Sequence, residues 1–407
     1  MRRIVVTGIG VVSPLGLDWQ KTWAGLVGGV SGIQRLADID VSGLPVTIGG
    51  QVTGFNPLEY LPAAVAKRAQ PHIQLALTAA TAALNDAKLS IDPQRSGVVV
   101  GTVCGTSGPT TEAADALGRR GFLGLGPYTF TATGVVTAAA EIALLTGAQG
   151  PSAAIATACA TGASCVGEGM RLIQRGDADV VLAGGCDSIS RLELAAAARA
   201  KALSRRNDEP ERASRPFDRA RDGFVMAEGA GVLVLEEAGH AQRRGARIYG
   251  ELAGYGATTD AYHLTAPDPG GSGVARAMRA ALAEAGVTPD SVGYVNAHGT
   301  GTPRNDSAEI AVIRHVFGAG AETVPVSSTK SMTGHMLGAA GAVEAAVALQ
   351  TVLTGIVPPT VNCDDPEDTG LNLVRHTAQE HRVDVAISNS FGFGGHNAVL
   401  VVRRWPD

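Results

Sequence analysis

Residues 156–176 read ATACATGASCVGEGMRLIQRG. Ala163, Val166, Met170 and Ile173 recur three and four residues apart, which predicts one apolar helix face. Arg171, Gln174 and Arg175 fall off that face. Small residues crowd the turn before the helix, and Cys159 sits in that turn. Unpaired N–H groups and the positive dipole end at a helix start would lower a thiol pKa and favour thiolate. Gly162 and the flanking alanines let the chain turn sharply and let a substrate come close. Cys159 is therefore the nucleophile candidate. The bland alternative is a buried structural cysteine, which is how Cys165 and Cys186 read.

Outward from this turn, short β-branched runs alternate with Ala-rich helical stretches. Strands are expected over 3–7, 98–100, 180–183, 232–235, 247–254, 292–296, 324–327, 385–388 and 398–402. Helices are expected over 73–87, 163–175, 273–285, 307–317 and 341–354. Buried strands alternating with helices argue for α/β packing. Residues 154–158 run into Cys159, small residues and a helix; residues 324–328 run into Lys330, His335, small residues and a helix. This echo suggests two related halves, 1–245 and 246–407, with a site between them. No Pro/Ser-rich linker separates them, so one compact unit is expected.

Composition excludes several classes. Of 407 residues, 45% are hydrophobic and 17% charged, and 53 are glycine, so a disordered chain is excluded. A net charge of −5 offers no basic field for nucleic acid. Five scattered cysteines without a CxxC pair support neither disulfides nor zinc. The start, MRRIVVTGIGVVSPLG, reads as a first strand rather than a signal peptide, because glycines break its apolar run. No uncharged apolar stretch is long enough to span a bilayer, so no membrane partner is expected and the cytoplasm is the default. The charged stretch 204–222, SRRNDEPERASRPFDRARD, reads as a solvated loop or a docking surface.

Two of nine histidines share a setting. His298 lies in YVNAHGTGTPRND and His335 in SSTKSMTGHMLGAAGAVEAA, each at a turn lined by Gly and Thr. Neutral imidazoles there could donate N–H to a developing oxyanion, and one thiol with two histidines fits acyl-thioester chemistry. A hydrogen-bonded core histidine is the alternative for each. No HExxH or HxxxH spacing supports a metal. Gly8–Ser13 is one residue short of a dinucleotide fingerprint, and GFGGHN (392–397) lacks the P-loop ending.

With these motifs in place, the chain resembles the elongating β-ketoacyl-acyl-carrier-protein synthases, a thiolase-fold family. The matching stretches are TACATG, NAHGTGTPRND, KSMTGHMLGAAGAVEA, SNSFGFGGHN and ASRPFDRARDGFVMAEGAG (213–231). The resemblance implies a layered α-β-α-β-α core, the nucleophile in the first half and both catalytic histidines in the second. It implies that Cys159 carries the acyl group, that malonyl-carrier protein is decarboxylated, and that the chain grows by two carbons. His298 and His335 would stabilise the enolate, and Lys330 would pair with Glu344. Backbone N–H groups of Cys159 and Phe393 would bind the oxyanion, with Phe393 as gate. Phe391 and Gly394 fall in the same glycine-rich turn, and Thr300 and Thr302 match positions that hold the phosphopantetheine arm. No bound cofactor is implied, since substrates arrive on the carrier's phosphopantetheine arm. The expected partners are an acidic acyl-carrier protein, docked by Lys67, Arg68, Arg205 and Arg206, and a second copy or a chain-length-factor-like paralogue.

Other condensing classes fit less well. A degradative thiolase needs a second catalytic cysteine near residues 394–396, and Gly394, Gly395 and His396 offer none. A non-catalytic docking subunit would lack the nucleophile that Cys159 supplies. The family pattern is weakest over 104–134, where Thr106, Gly108 and Thr110 are small and would widen the acyl tunnel. His396 replaces the threonine usual in the fatty-acid enzymes. These departures point to a polyketide or polyene chain, with neutral drift in a fatty-acid enzyme as the alternative.

Overall fold

A computed structural model describes residues 2–406. Ten strands form one sheet: β1 (Ile4–Val12), β2 (Ser96–Gly101), β3 (Ser152–Ala153), β4 (Val180–Asp187), β5 (Gly229–Glu237), β6 (Gly250–Thr259), β7 (Tyr294–Asn296), β8 (Val326–Ser327), β9 (Val385–Gly392) and β10 (His396–Arg403). Their order is β8-β7-β9-β10-β6-β1-β5-β4-β2-β3. The seam is short: Ile4, Val5 and Val6 of β1 face Leu252, Glu251 and Gly250 of β6. Outward from it, both directions run antiparallel, antiparallel, parallel, parallel. The echo in the sequence is thus a repeat of topology.

The helices that matter are α1 (Pro71–Ala87), α2 (Ser107–Arg120), α3 (Thr137–Thr146), α4 (Thr161–Arg175), α5 (Ser272–Ala285), α6 (Pro303–Phe317) and α7 (Ala340–Thr354). Helices α4 and α7 pack on each other and touch strands of both half-sheets. Helices α1 and α3 cover the outside of the first half, and α5, backed by α6, the outside of the second. The result is an α-β-α-β-α stack in which the two β layers are one sheet wrapped around a helical centre. Val166, Met170 and Ile173 of α4 are buried as their spacing predicted, each contributing about 1.5–3 kcal/mol. Helix α7 explains the one apolar stretch of membrane-spanning length among the described residues, Leu337–Thr354, which is 83% buried inside the protein.

Glycine brings the outer helices onto the sheet. A Cβ on Gly8 or Gly10 of β1 would lie 2.2 Å from Ala83 O or 1.8 Å from Ala79 O of α1. On β6, Gly254 and Gly256 meet Ala281 O and Ala277 O of α5 at 2.2 and 2.0 Å. The same device serves both halves. It also explains why β1 continues to Val12 although the expected strand ended at residue 7: these glycines are contact points, not breaks.

Two further expectations are corrected. Residues 107–120 form a helix, which their weak apolar pattern concealed. The charged stretch 204–222 is solvated only in part: Arg205, Asp208, Glu209, Glu211, Arg212, Arg219 and Asp222 are exposed. Residues 213–218 turn inward, with Phe217 and Asp218 fully buried and Arg215 paired with Asp218 and Asp364.

Candidate active site

Cys159 follows Ala158, whose φ of 48° is left-handed. That conformation costs a non-glycine residue about 1–2 kcal/mol. Local bonds hold it: the Ala160 and Thr161 N–H groups donate to Thr157 O (3.1 Å) and Ala158 O (3.0 Å), and the Thr157 N–H donates to Thr161 Oγ1 (2.9 Å). The strained turn presents the half-buried Cys159 to a cavity instead of the core. The end of β9 closes against it. A Cβ on Gly392 would sit 2.6 Å from Thr157 O and 3.0 Å from Cys159 N, so only glycine fits. The N–H groups of Phe393 and of Cys159 itself point at the sulfur.

Enclosure decides the thiol's charge. Burial pushes Cys159 up to about 11, and the Lys330 charge and those two N–H groups lower it only in part. Against the expectation of a thiolate at the helix start, desolvation outweighs the Lys330 charge and the two N–H groups. Alkylation of Cys159 by iodoacetamide in the free protein is therefore expected to quicken about tenfold per pH unit between about pH 7 and 9. A plateau near about pH 8, read on the Cys159 peptide by mass spectrometry, would contradict a thiol held protonated by burial.

The two histidines meet across the cavity. His298 and His335 stand edge to face, centroids 5.4 Å apart at 82°. His298 also packs on Phe391 (5.4 Å) and His335 on Phe224 (5.3 Å). Both are buried. His298 Nδ1 and both ring nitrogens of His335 are buried without a hydrogen-bond partner among the described residues. Burial first, then the Lys330 charge, keeps both well below the usual imidazole range. Both are neutral near pH 7 and can donate N–H without carrying charge. Main chain sets His335: its N–H donates to Val225 O (2.7 Å) and its carbonyl accepts from the Ala227 N–H (2.9 Å). Behind it, buried Lys330 donates to buried Glu344, whose carboxyl is raised to about 6 by burial against the opposing pull of Lys330.

Two carboxylates escaped the sequence reading. Asp306 and Glu309 lie three residues apart on one face of α6, both buried. Glu309 accepts from the N–H groups of His298 and Gly299 (2.8 Å each) and from Asn389 (3.1 Å). Asp306 accepts from Thr300 (3.1 Å), Gly301 and Phe217 (2.8 Å). They hold the His298 turn by its backbone. Burial raises Glu309 to about 7 despite these donors. The signal available was a helix start after Pro303 with two acids one turn apart. The inward turn 213–218 and Gly223 after it brace the same region: Ser214 Oγ donates to Lys330 O (2.7 Å), and the Gly223 N–H to Gly301 O (3.1 Å).

The cavity is lined by Cys159, His298, His335, Thr300, Thr302, Phe391 and Phe393 among others. Thr300 and Thr302 bond each other at 3.0 Å. Gly394, at φ 82°, holds the Phe393 turn by donating its N–H to Leu264 O (2.7 Å). Thr106, Gly108 and Thr110 are not brought into this cavity; they lie at the start of α2, where Thr110 Oγ1 donates to Thr106 O (2.7 Å). Of the four candidate docking cations, Lys67 and Arg205 are exposed. Arg68 forms a bidentate pair with Glu141, and Arg206 donates to Ala220 O (2.9 Å). Among the described residues no cluster of three metal-ligating side chains occurs.

Comparison with known proteins gives a consistent result. Residues 1–241 match the β-ketoacyl synthase N-terminal domain and residues 249–364 its C-terminal domain. A 3-oxoacyl-[acyl-carrier-protein] synthase 2 of Vibrio harveyi is 45% identical, covering 99% of each chain. One from Synechocystis is 42% identical over 99% of this chain and 98% of its own. A β-ketoacyl synthase from Burkholderia phymatum superposes with a TM-score of 0.93 at 33% identity, covering both chains fully. The ishigamide ketosynthase/chain length factor does so with a TM-score of 0.92 at 34% identity, again over both full chains.

Proposed function

Since the chain belongs to the β-ketoacyl synthase family, we propose that it condenses malonyl-carrier protein with an acyl chain held on Cys159, lengthening that chain by two carbons. The observation that carries this is one enclosed thiol sharing a cavity with two neutral imidazoles. In the first half-reaction the sulfur attacks the acyl-carrier thioester, its proton passing to the departing carrier thiol. In the second, the bond from malonyl to CO2 breaks and its electron pair moves onto the thioester oxygen as an enolate. His298 and His335 donate N–H to that oxygen, where water is excluded and each donor counts for more than in solution. The enolate carbon attacks the Cys159 thioester. The N–H groups of Cys159 and Phe393 hold the resulting oxyanion, and the sulfur leaves and regains a proton.

Phe393 serves as gate, being 45% exposed while its backbone stays fixed by the neighbouring glycines. Thr300 and Thr302 receive the phosphopantetheine arm at the cavity mouth. Lys67 and Arg205 dock an acidic carrier protein, with Arg68 and Arg206 shaping the surface around them. No bound cofactor takes part. Five free cysteines support the reducing cytoplasm as the compartment.

The molecule works as a pair of chains. Phe122, Leu123, Phe130 and Leu144, all within residues 122–144, are 74–91% exposed, and the helix that carries Leu144 packs beside the edge strand β3. A second copy extending the sheet across β3 would cover them.

The test is incubation with acyl-carrier protein followed by mass spectrometry. A stoichiometric acyl adduct on the Cys159 peptide is expected, discharged by malonyl-carrier protein with release of CO2. Turnover with coenzyme A esters in the absence of carrier protein would favour a thiolase instead.

A further inference from the structure

Asp187 closes β4 and is completely buried, yet among the described residues no arginine, lysine or histidine pairs with it. Backbone and hydroxyl donors surround it instead. Its Oδ1 accepts from Thr102 Oγ1 (2.7 Å), the Cys104 N–H (2.7 Å) and the Gly105 N–H (2.8 Å). The Val103 N–H spans both oxygens at 3.2 Å. Its Oδ2 accepts from the Gly338 N–H at 2.7 Å. Successive N–H groups curled around a carboxylate form a nest.

Oδ1 thus serves the 102–105 loop alone, and Oδ2 joins that loop to Gly338. The 102–105 loop carries Val103 and Cys104, which pack into the apolar cluster that also holds Cys159. Gly338 follows His335 by three residues, across Leu337, a non-glycine residue at φ 49°. A Cβ on Gly338 would lie 2.6 Å from Asp187 Oδ2, so the turn is built to admit the carboxylate. Asp187 is the partner of the Gly338 N–H, and this bond fixes the left-handed Leu337 turn at the residues that leave His335, beside the main-chain bonds His335 makes to Val225 and Ala227.

We propose that Asp187 is a positioning residue that locks, through one buried carboxylate, the loop flanking the acyl side of Cys159 to the turn that aims His335. It rests on the condensing reading above. Acyl loading and decarboxylation would then share one anchor.

Two variants of the full chain test this, with the unmodified protein alongside. Asp187→Asn keeps the shape but turns one acceptor into an amide that faces N–H groups. It is expected to lower kcat for malonyl-carrier decarboxylation about tenfold with KM within about twofold. In a Cys159→Ala background it should speed alkylation of Cys104 about tenfold by loosening the loop. Thr102→Val removes a donor on the loop side alone; it should slow acyl loading about threefold and leave decarboxylation within about twofold. An unchanged value in either Asp187→Asn readout overturns the proposal. If Asp187→Asn does not fold, Thr102→Val decides: an equal drop in both half-reactions, or a drop in neither, overturns it. Failure of the unmodified protein to release CO2 refutes the condensing reading instead, and Cys104 alkylation then still tests Asp187.

Discussion

Cys159→Ala is expected to leave no acyl-enzyme and to cut condensation by at least about a thousandfold. The reason is geometric as well as chemical. Cys165 is buried inside α4 and Cys186 in a central strand, and burial pushes the neighbouring Cys104 thiol far above its usual range, so none of these thiols takes over. Malonyl decarboxylation should survive within about tenfold, because the His298 and His335 donors do not depend on the sulfur. The two half-reactions therefore separate in one variant. The measurements are the intact mass after incubation with acyl-carrier protein, and CO2 release from malonyl-carrier protein. Retention of full condensation by Cys159→Ala would sink the assignment of the nucleophile.

Lys330→Met should have the largest effect on stability, about 3–5 kcal/mol near neutral pH, because it strands Glu344 in the core. The pH dependence has a definite sign. The Glu344 carboxyl is already raised to about 6 with Lys330 present, and losing that cation raises it further. The unfolded chain ionises this group at ordinary carboxylate pH, whereas the folded variant holds its proton to higher pH. Relative to the unmodified protein, the loss of stability therefore grows as pH rises above about 6 and is smallest below that value. Urea unfolding at about pH 5 and about pH 8 reads this directly, and equal losses at both would contradict an unpaired buried carboxylate. Lys330→Met combined with Glu344→Leu should regain most of the stability, since apolar replacement of a buried pair is often neutral. It should not regain activity. The Lys330 charge lowers both histidines and the Cys159 thiol, and that influence is lost with it.

Legibility differed by kind of residue. The α4 face was written in periodicity, because burial on one side of a helix leaves a repeat, and the expected strands were written as short β-branched runs, because strands such as β1, β2 and β4 are buried on both faces. Helix α2 was not, since its exposed, weakly apolar turns leave no such repeat. Cys159, His298 and His335 were legible because a reactive side chain framed by glycine is unusual locally. Asp187, Asp306 and Glu309 were not. Their role is to accept main-chain N–H groups up to 151 positions away, and an acid that does so looks like any other acid in a sequence.

Sequence alone determined the reaction class, through the ordered motifs around Cys159, His298, Lys330, His335 and Phe393 that carry the family resemblance. It also determined the alternation of strand and helix, and with it the doubled architecture. Tertiary structure decided the thiol's protonation, the inward turn of residues 213–218 and the shared anchor at Asp187. Local pattern is set by neighbours along the chain, so it can be read there. Desolvation and the pairing of buried charge depend on what packs from elsewhere, and only the folded chain brings those groups together.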